Sequence, residues 1–168
     1  SPQVWAWKES RVKTMKQHID RMLVILPFEE KYYADKWDWK VDYVGHPLVQ
    51  AIDDWKKNNT TDDVIAALKN KYAKPLIAIL PGSRKQEIQK KLPIMLQATK
   101  NFAENHFVVA KAPGIDDEFY ESLLAGNQNI STVRNATYSL LNHADAALVT
   151  SGTATLETAL FQVPQVVC

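Results

Sequence analysis

At 168 residues the chain is long enough for one domain with its own core, or for one domain and part of another. Its apolar fraction of 46% and charged fraction of 23% are those of a globular protein, and a net charge of +1 gives no basis for a nucleic-acid partner. The single cysteine, Cys168, excludes an intrachain disulfide and a multi-cysteine metal site, and no apolar run approaches the roughly 20 residues that span a bilayer.

All five tryptophans (Trp5, Trp7, Trp37, Trp39 and Trp55) fall in the first third, so the early part is expected to be a separate structural unit. Val4 to Trp7 alternates large and small residues like a strand end. Glu9 to Arg21 reads as a helix with Val12, Met15 and Ile19 on one face. Its other face is basic, carrying Lys8, Arg11, Lys13, Lys16 and Arg21, which suits either solvent or anionic lipid headgroups. A short strand over Met22–Leu26 ends at Pro27, and a short helix follows over Phe28–Tyr33. Val41 to Val44 alternates as a second strand, broken by Gly45-His46-Pro47. His46 reads either as a site residue near a ligand or as a turn histidine capping a strand end. Leu48–Lys56 is expected to be helical. Thr60 or Thr61 then caps a helix led by Asp62 and Asp63, with Val64, Ile65, Leu68 and Tyr72 turned inward.

From Leu76 the pattern alternates strand and helix, which predicts a parallel sheet. Strands are expected over Leu76–Leu80, Phe107–Ala110, Ile130–Val133, Ala146–Val149 and 165–168. The helices between them begin at Ser83, run over about 116–125 to Gly126, and cover Thr137–Asn142 and Thr153–Phe161. Pro93 is expected to break or kink the first, which turns Ile88, Leu92, Met95, Leu96 and Phe102 inward. This is half or more of a doubly wound α/β domain, in which ligands sit beyond the carboxyl ends of the strands where the strand order reverses.

Two loops carry chemistry. Leu76 to Arg84 reads as a buried strand, a tight turn and a helix start. Gly82 permits an unusual turn and close approach of a ligand, and Ser83-x-x-Gln86 fits a capping box. The free amides and positive dipole of the helix start suit phosphate, and Arg84 adds a bidentate charged fork. The alternative is an ordinary turn with a surface arginine. The second loop is Thr150-Ser151-Gly152-Thr153-Ala154-Thr155-Leu156-Glu157. Ser151 and Thr153 can donate to phosphate, Gly152 lets the backbone approach, and Glu157 can accept from a ribose diol. Here the alternative is a Ser/Thr helix cap beside an exposed glutamate. The chain has no Gly-x-x-x-x-Gly-Lys pattern and no Gly-x-Gly-x-x-Gly, which argues against a P-loop nucleotidase and a nicotinamide or flavin enzyme.

Five segments occur in register: Ser1-Pro2-Gln3-Val4-Trp5-Ala6-Trp7, Leu26-Pro27-Phe28-Glu29, Tyr43-Val44-Gly45-His46-Pro47, Leu80-Pro81-Gly82-Ser83-Arg84 and Ser151-Gly152-Thr153-Ala154-Thr155-Leu156-Glu157. Together they resemble the lipid-A-disaccharide synthases, inverting glycosyltransferases of the GT-B type built from two Rossmann-like domains. The resemblance implies transfer of diacylglucosamine from its UDP derivative to a lipid monosaccharide 1-phosphate, with UDP leaving. It implies no cofactor and no metal. The implied partners are the two lipid substrates and, in the full-length enzyme, the inner-membrane surface on its cytoplasmic side, with no nucleic acid; interdomain surface left exposed in this piece predicts self-association into a homo-oligomer.

On this resemblance residues 1–47 are the tail of the acceptor-side domain, 48–74 the crossover, and 75–168 the UDP-sugar domain, with both domains incomplete. The chain ends on Gln165-Val166-Val167-Cys168 as though inside a strand, so a piece of a longer protein is expected, inactive by itself. Arg84 is implied to offset charge on the leaving diphosphate. Gly82, Ser83, Ser151, Gly152 and Thr153 would hold the nucleotide's phosphates, Glu157 its ribose, and Arg134 and Asn135 its base. No general base is assigned within the chain. Two other readings remain open: a UDP-sugar 2-epimerase of related fold, and a non-catalytic nucleotide-sugar-binding module.

Overall fold

The computed structural model describes residues 2–58, 63–127 and 129–168, which form two compact units, Ser1–Asp54 and Trp55–Cys168. The first unit contains α1 (Arg11–His18), β1 (Leu23–Val24), α2 (Pro27–Trp37) and β2 (Asp42–Tyr43), with β1 and β2 paired in parallel. The next helix, α3 (Pro47–Asn58), carries the chain past the division between the units.

The core of the first unit is Val4, Val12, Met22, Val24, Tyr33, Trp39 and Val41. Several expectations change here. Residues 4–7 form a turn, because the Val4 and Ala6 amides donate to Pro2 and Gln3 rather than to a ladder. The first helix ends at His18, and Ile19 is extended and leaves the apolar face. Pro27 opens α2 instead of merely ending a strand, because a first-turn proline gives up no helical hydrogen bond. At the other end of α2, Lys16 donates to the carbonyls of Trp37 (2.9 Å) and Asp38 (2.5 Å), so one residue of the basic face caps a helix C-terminus. His46 caps the start of α3 rather than a strand end: its Nδ1 accepts the Leu48 amide.

The second unit begins with α4 (Asp63–Tyr72) and then alternates β3 (Leu76–Leu80), α5 (Lys85–Thr99), β4 (His106–Lys111), α6 (Asp117–Leu124), β5 (Ile130–Arg134), α7 (Thr137–His143), β6 (Ala146–Val149), α8 (Thr153–Leu160) and β7 (Gln165–Val167). The five strands lie in the order β5-β4-β3-β6-β7, every neighbouring pair parallel. Alternate residues of one strand feed opposite cores. Leu76, Ala78 and Leu80 of β3 join Ile65 of α4 and Leu140 and Leu141 of α7. Ile77 and Ile79 join Ile88, Leu92, Met95 and Leu96 of α5 and Tyr120 of α6. Helices on both faces explain why β3 and β4 read as unbroken apolar runs.

Thr60, Thr61 and Asp62, the expected start of α4, lie outside the described residues. Within that helix Ile65 is buried as expected, but Val64 is exposed. Pro93 neither breaks nor ends α5. Its ring is exposed and removes one hydrogen bond, at a cost of about 3 kcal/mol. Burial of Ile88, Leu92, Met95 and Leu96 returns about 1.5–3 kcal/mol each, so the helix continues to Thr99. Phe102 lies beyond the helix and is half exposed. Trp55, grouped by composition with the early tryptophans, belongs to the second unit, where it meets the Tyr138 and Phe161 rings edge to face.

Candidate functional site

The order of the sheet places β3 and β6 side by side, with Leu80 opposite Val149. The two loops that follow therefore leave neighbouring strand ends at one level, and the Thr150 amide donates to the Leu80 carbonyl at 2.9 Å. A cleft of about 400 Å³ opens there. Gly82, Ser83, Arg84, Ser151, Gly152, Thr153 and Glu157 all line it.

The loop after β3 turns through Gly82, whose φ of +110° is strained for any residue with a β-carbon. The helix that follows starts one residue later than expected: Arg84 is the extended N-cap residue and Lys85 the first of α5. The Ser83–Gln86 capping box does not form. The Ser83 amide instead donates to Glu87 Oε2 at 3.2 Å, and Glu87 also lines the cleft. An anion approaching that amide has to displace a carboxylate already there. Arg84 is exposed, and its guanidinium has no hydrogen bond or ion pair among the described residues.

The loop after β6 is open in a different way. Gly152 is the N-cap residue of α8, with φ +144° and ψ −156°, a conformation essentially confined to glycine. Neither Ser151 nor Thr153 caps the helix, and both are exposed, so their hydroxyls remain free to meet a ligand. The first amides of α8 have no partner within the helix and carry its positive end. Glu157, one turn along and half-buried, accepts a hydrogen bond from the Tyr138 hydroxyl at 3.1 Å. Burial and the Glu157 carboxylate hold the Tyr138 phenol above its ordinary range, so it stays a donor and fixes the carboxylate's orientation.

Arg134, the last residue of β5, and Asn135 after it are placed otherwise. Arg134 donates to the carbonyls of Ala112 (3.1 Å) and Ile115 (2.8 Å) and to Asp117 (2.7 Å), so its guanidinium braces the loop after β4. Through Ala112 and Pro113 that loop forms one wall of the cleft. Asn135, in the left-handed region at φ +55°, lines a second cavity of about 620 Å³ with Trp55, Tyr138, Ser139 and Glu157. Glu157 and Thr137 line both cavities.

Sequence reasoning assigned no role to Glu87, Tyr138 or Thr150. The Thr150 side chain is 5% exposed, and its hydroxyl has no hydrogen-bond partner among the described residues. Only its membership of the Thr150–Glu157 stretch pointed to it.

A parallel sheet covered on both faces, with a cleft where the strand order reverses, defines a Rossmann-like α/β domain. The whole chain, residues 1–168, matches the family described as lipid-A-disaccharide synthetase, and it belongs to that family. It is 39% identical to the lipid-A-disaccharide synthase of Syntrophus aciditrophicus (strain SB) and 38% identical to that of Anaeromyxobacter dehalogenans (strain 2CP-C), each over 99% of this chain and 44% of the relative. With the Chlamydia pneumoniae lipid-A-disaccharide synthase it shares 37% identity over 99% of the chain and 28% of the relative. The chain thus spans less than half the length of these curated relatives.

Proposed function

We propose that this chain is the central part of a glycosyltransferase of lipid A biosynthesis. The enzyme moves 2,3-diacylglucosamine from its UDP derivative to 2,3-diacylglucosamine 1-phosphate, giving lipid A disaccharide 1-phosphate and UDP. The reading rests on one observation above the rest: the two glycine-bearing loops meet at the ends of β3 and β6 around one cleft, with Glu157 at its edge.

In this reading residues 1–47 close the acceptor-side domain, 48–74 cross over, and 75–168 hold the nucleotide. Ser151, Gly152, Thr153 and the first amides of α8 bind the diphosphate, with Gly82 and Ser83 opposite. Arg84 offsets the charge that grows on the leaving diphosphate, an interaction that strengthens as the glycosidic bond breaks. Glu157, held by Tyr138, takes the ribose diol, and Asn135 borders the base. Arg134 contributes by bracing the Ala112–Pro113 wall. The enzyme works on the cytoplasmic face of the inner membrane as a peripheral protein and a homo-oligomer. No helix among the described residues is long and apolar enough to cross a membrane.

The test is UDP release by the full-length protein with and without the monosaccharide 1-phosphate acceptor. Release that requires acceptor, with a disaccharide product, is expected. Epimerised UDP-sugar formed without acceptor would overturn the proposal.

A further inference from the structure

Thr150 directly follows β6, at the point where the strand order reverses, and it lines the cleft. Its amide is used in the ladder, donating to Leu80. Its hydroxyl is not used: it is closed to solvent and has no hydrogen-bond partner among the described residues, although the residue is 95% buried by its 5% exposure. A buried hydroxyl left without a partner costs stability, and an apolar side chain of the same shape avoids that cost. Valine has that shape. The fold alone therefore gives no reason for threonine at this strand end.

We infer that the Thr150 hydroxyl is a ligand contact, donating its proton to an anionic oxygen of the nucleotide's diphosphate. The cleft lining carries Arg84 and Lys111 as well as the Glu87 and Glu157 carboxylates, and it is the start of α8 next to Thr150 that favours an anion. The first amides of α8 and the free guanidinium of Arg84 present donors and positive charge to the same cleft, and the Ser151 and Thr153 hydroxyls flank the loop that follows. Threonine carries a methyl and a hydroxyl of nearly equal size on one β-carbon. A 120° step about χ1 carries the hydroxyl to the place that the methyl or the β-hydrogen held, and one of the two heavy groups then takes the hydrogen's place. The hydroxyl is closed to solvent, and with diphosphate in the cleft the χ1 step brings it to the ligand. This inference rests on the reading of the cleft as a nucleotide site.

The experiment is UDP titration by calorimetry on the full-length protein, together with thermal unfolding without ligand, for the wild type, Thr150→Val, Thr150→Ser and Arg84→Ala. Thr150→Val is expected to unfold at or above the wild-type temperature and to bind UDP about tenfold more weakly, the loss of one charge-assisted hydrogen bond. Thr150→Ser is expected to bind within roughly threefold of wild type, because it keeps the hydroxyl. If Thr150→Val binds UDP as well as wild type while Arg84→Ala binds weakly, the Thr150 assignment fails and the nucleotide site stands. If Thr150→Val unfolds well below wild type, the hydroxyl has a partner in the empty protein, and the inference also fails. If the wild type itself does not bind UDP, the nucleotide reading fails first and takes this one with it.

Discussion

The Glu87 carboxylate closes over Gly82. A β-carbon on residue 82 would overlap Glu87 Oε2, and the same oxygen accepts the Ser83 amide at 3.2 Å. The φ of +110° requires the glycine, and a β-carbon there would also push the flexible end of Glu87 off the Ser83 amide. Gly82→Ala in the full-length protein is expected to lose about 1–3 kcal/mol, part from backbone strain and part from expelling Glu87 from the Ser83 amide. In a double-mutant cycle read by denaturant unfolding, Glu87→Ala should cost less in the Gly82→Ala background than in the wild type. Strict additivity of the two changes would mean that the contact carries no energy.

The most buried carboxylate in the first unit has a comparable role. Glu29 is 0% exposed and accepts the Ile25 amide (3.1 Å), the Leu26 amide (2.8 Å) and the Trp5 indole N–H (3.1 Å). It ties the start of α2 to the N-terminal turn. Glu29→Ala would leave three part-buried donors without their acceptor and is expected to cost about 3 kcal/mol. Glu29→Gln should cost less, because its one carbonyl oxygen still accepts while its amino group faces donors. Chemical denaturation of both variants checks the order, and an alanine variant as stable as wild type would refute it.

Acid should weaken the brace beside the cleft in a defined window. Lys111 at 2.6 Å and Arg134 at 2.7 Å hold the Asp117 carboxyl at about 2, down from 3.8. A carboxylate whose folded value is depressed adds stability above its unfolded value and loses it as pH falls through the folded one. Wild type is therefore expected to be more stable than Asp117→Asn at pH 5, with the gap closing between pH 4 and pH 2. Melting temperatures of the two proteins measured down that range test it. A gap that stays constant with pH would contradict it.

The central strands and the two loops were legible because their signals are local. Leu76–Leu80 and Ala146–Val149 are apolar on both sides, and the glycines mark turns that only glycine makes. What escaped depends on three-dimensional neighbours. Whether Ser83 meets Gln86 or Glu87 is decided by the path of the loop, and the structure chose Glu87. Pro93 is tolerated because its ring faces outward from a helix anchored by four buried side chains. Arg134 is the last residue of β5 rather than the first beyond it, and the two carbonyls and the carboxylate that engage it come from the loop after β4 and the start of α6, which no spacing along the chain reveals. The empty hydrogen-bonding capacity of Thr150 is likewise invisible until its burial is known.

The most direct test of the account is heteronuclear NMR of the full-length protein titrated with UDP, with Arg84→Ala alongside. The account predicts shifts clustered at residues 81–84, 135–138 and 150–157, greatly reduced in the Arg84→Ala protein at the same UDP concentration. Saturable binding whose shifts fall elsewhere, or unchanged binding in Arg84→Ala, would contradict it.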